Sequence, residues 1–429
     1  MAEYIDRVVD TVLDAYQPLL SAVELYGAKG VGKTETASQR ATSVLRLDVA
    51  ADVERLRADS KILEELPGPV LIDEWSRMPE SWDMVRRAVD DGAAPGRFIL
   101  TGSSTVPKGA VVHSGAGRIV RLRMRPLSLA ERKVENACVS LADLLSGSIE
   151  IGGQTTVRMA DYVHEIVASG FPGIRPQPEG VRRMLLNSYV DDLALREFPE
   201  QGYPVRKPQV LKAWLTAYGA ATATTTSYNR ILEASTAGES QKPNKGTTTT
   251  YRDVLAGLWV VDPLEAWLPT LNRLERLAQS PKHFLVDPAL TCRLLNLNEK
   301  QLLQGSQGNP SARRGEILRE GTLLGALFEH LSVLSLRVYA QAAEAKIFHM
   351  RTQGGDHEID MILQSQDGRI LPVEVKLAQA VRDEDVRHIL WLREKLGSDC
   401  LDGMVLSTGE YAYRRKDGIA VVPLALLGP

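Results

Sequence analysis

The sequence predicts an α/β chain of several domains, led by a parallel sheet. Three observations carry this expectation. Short apolar runs alternate with stretches of helical spacing from Ala22 to Ser103, the pattern of a parallel α/β layer. The run Ala22–Tyr26 leads straight into Gly27-Ala28-Lys29-Gly30-Val31-Gly32-Lys33-Thr34, a glycine-rich turn between a strand and a helix. Far downstream, Asp367-Gly368 separates two alternating apolar runs, which marks a hairpin in a second, β-rich unit.

The elements follow in order. Ile5, Val8, Val9, Val12, Leu13 and Tyr16 are spaced as one face of a helix. After the glycine-rich turn, Val44–Val49 reads as a strand and Val53–Leu66 as a helix. Pro69–Glu74 is a buried strand ending in two acids, Trp82–Val89 a helix, and Phe98–Ser103 a strand with a polar exit. Arg118–Met124 is a strand that closes the block. Residues 127–200 read as mainly helical, with a loop at 146–156 and a turn at Phe171-Pro172-Gly173. Thr236–Thr250 reads as a polar loop and Asn298–Gly315 as a linker. A long helix is expected over Glu316–Leu336, then the hairpin, a helix over Gln379–Leu396, and strands at Met404–Ser407 and Ile419–Pro423.

With 429 residues, the chain has room for two to four domains at ~100–200 residues each. Lys and Arg number 51 and Asp and Glu 54, a net charge of −3 that excludes a uniformly basic, histone-like nucleic-acid binder. Apolar residues at 44% and charged residues at 24% exclude wholesale disorder. Cys138, Cys292 and Cys400 are far apart and form no CxxC pair, so neither a disulfide framework nor a cysteine zinc site is expected. No signal-like N-terminus and no apolar run near ~20 residues is visible, so the expected setting is cytoplasmic, with no membrane.

Gly27–Thr34 fits G-x-x-x-x-G-K-[ST]. Gly27, Gly30 and Gly32 let the backbone turn its N–H groups onto phosphate oxygens, and the following helix presents its positive end to the same anion. Lys33 would reach the β- and γ-phosphates of ATP, and the Thr34 hydroxyl would ligate Mg²⁺. Asp73, delivered by an apolar strand, is the second Mg²⁺ residue, and Glu74 beside it could polarise the attacking water. Ser103, with Thr101 and Ser104, ends the next strand and could touch the γ-phosphate; an ordinary Ser/Thr turn explains these residues nearly as well. Arg118 is a candidate for stabilising charge on the γ-phosphate, within its own subunit or on a neighbour, weighed equally against a solvated strand face.

In the C-terminal third, period-2 alternation puts Ile359, Met361 and Leu363 on one face of a strand and Asp360 on the other. Leu371, Val373 and Val375 share one face of the next strand, Glu374 and Lys376 the other. The hairpin can therefore gather Asp360, Glu374 and Lys376. Two carboxylates suit Mg²⁺, and the lysine suits a water or the charge that develops in phosphodiester cleavage. The plain alternative is a solvent-facing charged hairpin. Glu329, on the preceding helix, is a further metal-side acid.

Taken together, these residues resemble the bacterial and archaeal AAA-family ATPases that carry a C-terminal domain of unknown function 4143. The resemblance rests on Gly27–Thr34, Val70–Glu74, Phe98–Ser103, Gly117–Arg118, Gly170-Phe171-Pro172, Lys282–Pro288 and Glu358–Lys376. It implies an additional-strand P-loop domain over 1–130, a helical region over 131–200, a winged-helix-like domain over 201–298 and a PD-(D/E)xK nuclease-like domain over 311–429. By that likeness Glu329, Asp360, Glu374 and Lys376 fill the nuclease set. Trp75 departs from the family, which often has isoleucine or leucine there.

In the middle, Thr250 and Asp253 resemble a capping box, which would make Tyr251–Leu258 the second helix of a helix-turn-helix after Ser227–Ala234. Residues 201–260 carry seven basic and three acidic side chains, so Arg230, Lys242, Lys245 and Arg252 are candidate phosphate contacts. The expected activity is ATP hydrolysis coupled to Mg²⁺-dependent DNA cleavage, in a chain open to homo-oligomerisation. The alternatives are an ATP-driven binding switch without cleavage, and a toxin or toxin partner.

Overall fold

A computed structural model describes residues 4–429 apart from 60, 111, 148, 237–244, 270–278, 306–320 and 353. Strands β1 (Ala22–Tyr26), β2 (Ser43–Arg46), β3 (Val70–Asp73), β4 (Phe98–Gly102) and β5 (Ile119–Arg123) form one all-parallel sheet in the order β2-β3-β4-β1-β5. Val23, Leu25, Leu71 and Ile99 pack on one face with Leu13 and Phe171. Their neighbours Ala22, Val70, Ile72, Phe98 and Leu100 pack on the other with Leu56, Trp75 and Trp82. Because both faces are covered, the strands read as unbroken apolar runs. The single helix expected over 53–66 is two, Ala50–Ala58 and Ile62–Glu65. Asp59 between them is extended, and its carboxylate accepts the Lys61 N–H at 2.9 Å, a local bond that competes with helix continuation.

The second sheet has seven strands. In chain order these are β7 (Gly153–Gln154), β8 (Lys346–Arg351), β9 (Glu358–Gln364), β10 (Ile370–Val375), β11 (Met404–Ser407), β12 (Tyr411–Arg414) and β13 (Ala420–Pro423), arranged β7-β12-β13-β11-β10-β9-β8. The helix Gly321–Ala342 covers one face through Leu324, Leu327, Phe328 and Leu331. The helix Asp383–Leu396 covers the other through Val386, Ile389 and Leu392. This second helix starts four residues later than expected, where the Asp385 carboxylate accepts the Arg382 N–H at 2.8 Å. The hairpin is therefore sandwiched, not solvent-facing. Residues 306–315 of the expected linker and 316–320 of the expected long helix lie outside the described residues.

The packing does not follow the sequence-derived boundaries. Leu129, Val139, Leu141, Tyr162 and Ile166 share the core of the seven-stranded sheet. β7 joins that sheet as an edge, and β6 (Val139–Ser140) pairs in parallel with β14 (Leu427–Gly428). Leu186, Val190, Leu193 and Phe198 instead join the core that backs the first sheet. The region expected as one helical block is thus divided between two cores.

In the middle, helices span Pro208–Ala220, Tyr228–Ser235 and Lys245–Gly257. Ser227 caps the second by accepting the Arg230 N–H. The expected capping box at Thr250 does not form. The helix has already begun at Lys245, and the Thr250 hydroxyl donates back to the Gly246 carbonyl at 3.0 Å. Lys242 lies outside the described residues. The chain then folds back on itself, with Val261 bridging Leu285 and Leu264 bridging Lys282.

One expectation from hydropathy needs correction. Leu323–Ala342 is long and apolar enough, by length and composition, to cross a membrane. In the fold most of that stretch is buried inside the protein, so its apolarity serves the core of the second sheet.

Candidate nucleotide site and C-terminal acid cluster

The glycine-rich loop leaves β1 at Tyr26 and ends at the helix Lys33–Ser38. Gly27, Gly30 and Gly32 have φ of +153°, +82° and +99°. A Cβ on Gly27 would lie 2.1 Å from the Met124 carbonyl oxygen, so no other residue fits there. Lys33 is buried, and its Nζ donates to the Gly27 and Ala28 carbonyls at 2.9 and 3.0 Å. Burial pushes its pKa down to about 8, against the upward pull of Glu74 and Asp73.

β4 lies between β1 and β3, which sets Thr101 beside the acid that ends β3. Asp73 Oδ1 accepts from the Thr34 hydroxyl at 2.7 Å and from the Thr101 hydroxyl at 2.5 Å. A hydroxyl and a carboxylate side by side are hard oxygen donors of the kind Mg²⁺ takes. Glu74, the next residue, adopts φ +55°. Its N–H donates to Thr101 Oγ1 at 3.1 Å, and its Oε2 accepts from Ser103 at 2.8 Å. The structure therefore brings Lys33, Thr34, Asp73, Glu74 and Ser103 together at one end of the sheet.

Arg118 is not among them. It immediately precedes Ile119, which pairs with Ala22, so it stands at the end of the parallel sheet remote from the loop. There its Nε donates to Asp90 at 2.8 Å on the surface. A strand's entry and exit lie at opposite edges of a parallel sheet, which a one-dimensional motif does not show.

Sequence reasoning missed three parts of this site. Glu24, fully buried in the middle of β1, accepts from Trp75 Nε1 at 2.9 Å and pairs with Arg121. This gives Trp75 a structural role. The signal was present as an acid inside the run Ala-Val-Glu-Leu-Tyr. The second part is a cover: a Cβ on Gly30 would meet Phe171, and one on Gly32 would meet Pro172 and Arg7. The third is the pair Lys29–Glu197, at 2.7 Å. Beside the loop lies a cavity of about 280 Å³ lined by Lys29, Gly30, Ser103, Tyr189 and Glu197.

The C-terminal acids converge as the alternation implied, with one difference. The register of β8 against β9 shifts between Phe348 and Met350. Ile359 consequently packs with Ile362 and Ile370, not with Met361 and Leu363. Such a bulge re-aims the side chain beside it, here Asp360. Asp360 Oδ2 accepts the Val375 N–H at 2.9 Å, and Lys376 Nζ donates to Glu374 at 2.8 Å. Glu374 is buried and its Oε1 has no hydrogen-bond partner. Burial first, then Asp360, raise its carboxyl well above the usual range.

The unforeseen member is Lys282. Its Nζ is buried 2.9 Å from Glu329, 3.1 Å from Asp360 and 3.4 Å from Glu358. Burial opposes its charge, but the three carboxylates outweigh it and hold the ammonium protonated. Glu329 is pushed up to about 8, by burial against the pull of Lys282. Among the described residues no three His, Cys, Asp or Glu side chains are grouped to hold a metal ion. Glu329, Asp360 and Glu374 do not fit a divalent cation, because the Lys282 ammonium stands between Glu329 and Asp360.

A strand, a glycine-rich phosphate loop and a helix, with Thr34 set against the acid of a neighbouring strand, define a P-loop nucleotide-binding domain. Residues 21–133 match the AAA domain family. Residues 159–301 match a domain of unknown function (DUF8612), and residues 324–427 match another (DUF4143). Uncharacterized proteins of Mycobacterium tuberculosis and Mycobacterium bovis are each 23% identical over 328 residues, 76% of this chain. The chain spans 62% of the length of these relatives. Among solved structures, a Walker-type ATPase of Pyrococcus abyssi is 13% identical at a TM-score of 0.40, covering 68% of this chain and 96% of its own. The ORC2 protein of Aeropyrum pernix is 16% identical at 0.29, covering 72% and 98%.

Proposed function

We propose that the chain is an ATP-hydrolysing switch that grips DNA through its middle and C-terminal regions. The observation that carries the ATP reading is the Thr34–Asp73–Thr101 triplet beside the Glu74–Ser103 pair. Thr34 and Asp73 would hold Mg²⁺, which neutralises phosphate charge when bound. Lys33 binds the phosphates, and Glu74 orients the attacking water. The DNA reading is supported by a cleft of about 560 Å³ lined by Lys108, Arg206 and Lys207, with the Tyr203 ring beneath the Lys108 ammonium. Clustered cations beside an aromatic ring suit a nucleic-acid strand. A homo-oligomer belongs to the same reading, with surface Arg118 reaching a neighbouring copy's nucleotide.

The C-terminal domain carries the acids and lysine of a PD-(D/E)xK nuclease, and Mg²⁺-dependent cleavage is the first reading of it. The ammonium of Lys282 between Glu329 and Asp360 favours the second, a nuclease-like module that binds without cutting. ATP turnover and cleavage of linear and plasmid DNA in Mg²⁺ or Mn²⁺ test both, with Lys33→Ala and Asp360→Ala compared. The expected result is ATP turnover abolished in Lys33→Ala and no cleavage that depends on Asp360. Cleavage by the wild type that Asp360→Ala removes would return the nuclease reading.

A further inference from the structure

The acid cluster and the phosphate loop are joined by one short stretch of chain. At one end of residues 282–287, Lys282 is locked among Glu329, Glu358 and Asp360. At the other, buried Asp287 accepts from the Gly170 N–H at 2.6 Å and from Ser169 Oγ at 3.1 Å. Gly170 leads into Phe171 and Pro172, the residues that face Gly30 and Gly32 of the phosphate loop. Between the two ends, the Leu285 carbonyl lies 2.6 Å from Nε2 of buried His330, on the helix that carries Glu329. The stretch is extended, bridged to Thr222, Val261 and Leu264, and buried from 282 to 287. A taut, buried segment of this kind transmits displacement because it has no slack to absorb it.

We infer that Lys282 is the resident cation of the C-terminal cluster, closing it to divalent metal, and that segment 282–287 ties this closure to occupancy of the phosphate loop. An ammonium contacting three carboxylates satisfies charge that would otherwise draw an ion from solvent. Any metal bridging Glu329 and Asp360 has to displace it. Phosphate entering the loop presses on Gly30 and Gly32, hence on Phe171 and Pro172, and Asp287 carries that displacement toward Lys282. The closure stands on the cluster alone, while its coupling rests on the ATP reading above.

The test uses the full chain. Free Mn²⁺ is followed by electron paramagnetic resonance, without nucleotide, in wild type, Asp360→Asn, Lys282→Ala and Lys282→Gln. Wild type and Asp360→Asn are expected to bind Mn²⁺ identically. Lys282→Ala is expected to gain one site at least about tenfold tighter than any in the wild type, removed by adding Asp360→Asn. Lys282→Gln, which keeps a hydrogen-bonding end, supplies the same comparison should the alanine variant not fold. An Asp360-dependent Mn²⁺ site in the wild type overturns the closure, as does a folded Lys282 variant that gains none. The coupling is read by hydrogen exchange with a non-hydrolysable ATP analogue, whose binding is measured separately by calorimetry. Changed exchange over 169–172 and 282–287 is expected. Unchanged exchange there with analogue bound overturns the coupling, whereas failure of the analogue to bind overturns the ATP reading and leaves the Mn²⁺ result standing.

Discussion

Lys33 shows how much of the site's chemistry is decided by a single side chain's surroundings. Its Nζ donates to the Gly27 and Ala28 carbonyls, and burial pushes its pKa down to about 8. A bound phosphate adds negative charge beside the ammonium and shifts its pKa back up. Nucleotide affinity should therefore be full below pH 8 and fall as pH rises beyond it, by at most about tenfold per pH unit. Titration of a fluorescent ATP analogue across that range checks this, and calorimetry in two buffers should show proton uptake on binding above pH 8. An affinity that is flat with pH would place the lysine outside the phosphate site. The motif marked Lys33 as a phosphate ligand, but its burial is a product of the folded packing and not of the local sequence.

At the scale of elements, the tips of β1, β3 and β4 assemble the site, and small residues set their spacing. A Cβ on Gly102 would lie 2.7 Å from Trp75 Nε1 and 3.2 Å from Glu24 Oε1. Gly102→Ala should cost about 1–3 kcal/mol as an overpacked core position, read by urea denaturation. Trp75→Phe should destabilise on its own, because it removes the N–H bonded to buried Glu24. The strands were legible in the sequence: Ala22–Tyr26, Val70–Asp73 and Met404–Ser407 fall within their expected runs, because buried parallel strands are written as continuous apolar stretches. The hairpin was legible from Asp367-Gly368. The bulge that re-aims Asp360 was not, since an extra residue leaves local alternation nearly intact. Arg118 was misplaced because strand order, not spacing, decides which edge a residue occupies. Lys282 was visible only as part of a motif, and its partners lie 47 and 78 residues downstream.

At the scale of the whole molecule, the four segments suggested by the sequence are interleaved. The core under the seven-stranded sheet draws on Leu129–Ile166 as well as on Leu324–Leu427. A fragment of residues 311–429 should therefore expose the apolar surface that Leu141, Tyr162 and Ile166 cover. It should bind a hydrophobic dye and melt without a cooperative transition, whereas the full chain should melt cooperatively; a sharply melting fragment would show that the sheet is self-sufficient. The pairing of Leu427-Gly428 with Val139-Ser140 also bears on synthesis. The first sheet has all its strands by residue 123, long before its partners leave the ribosome. The second core is begun near residue 139 and completed only once residue 428 has emerged. During translation, nearly three hundred residues pass between one strand and its mate, so the early half of that core must wait exposed or chaperoned until the mate emerges.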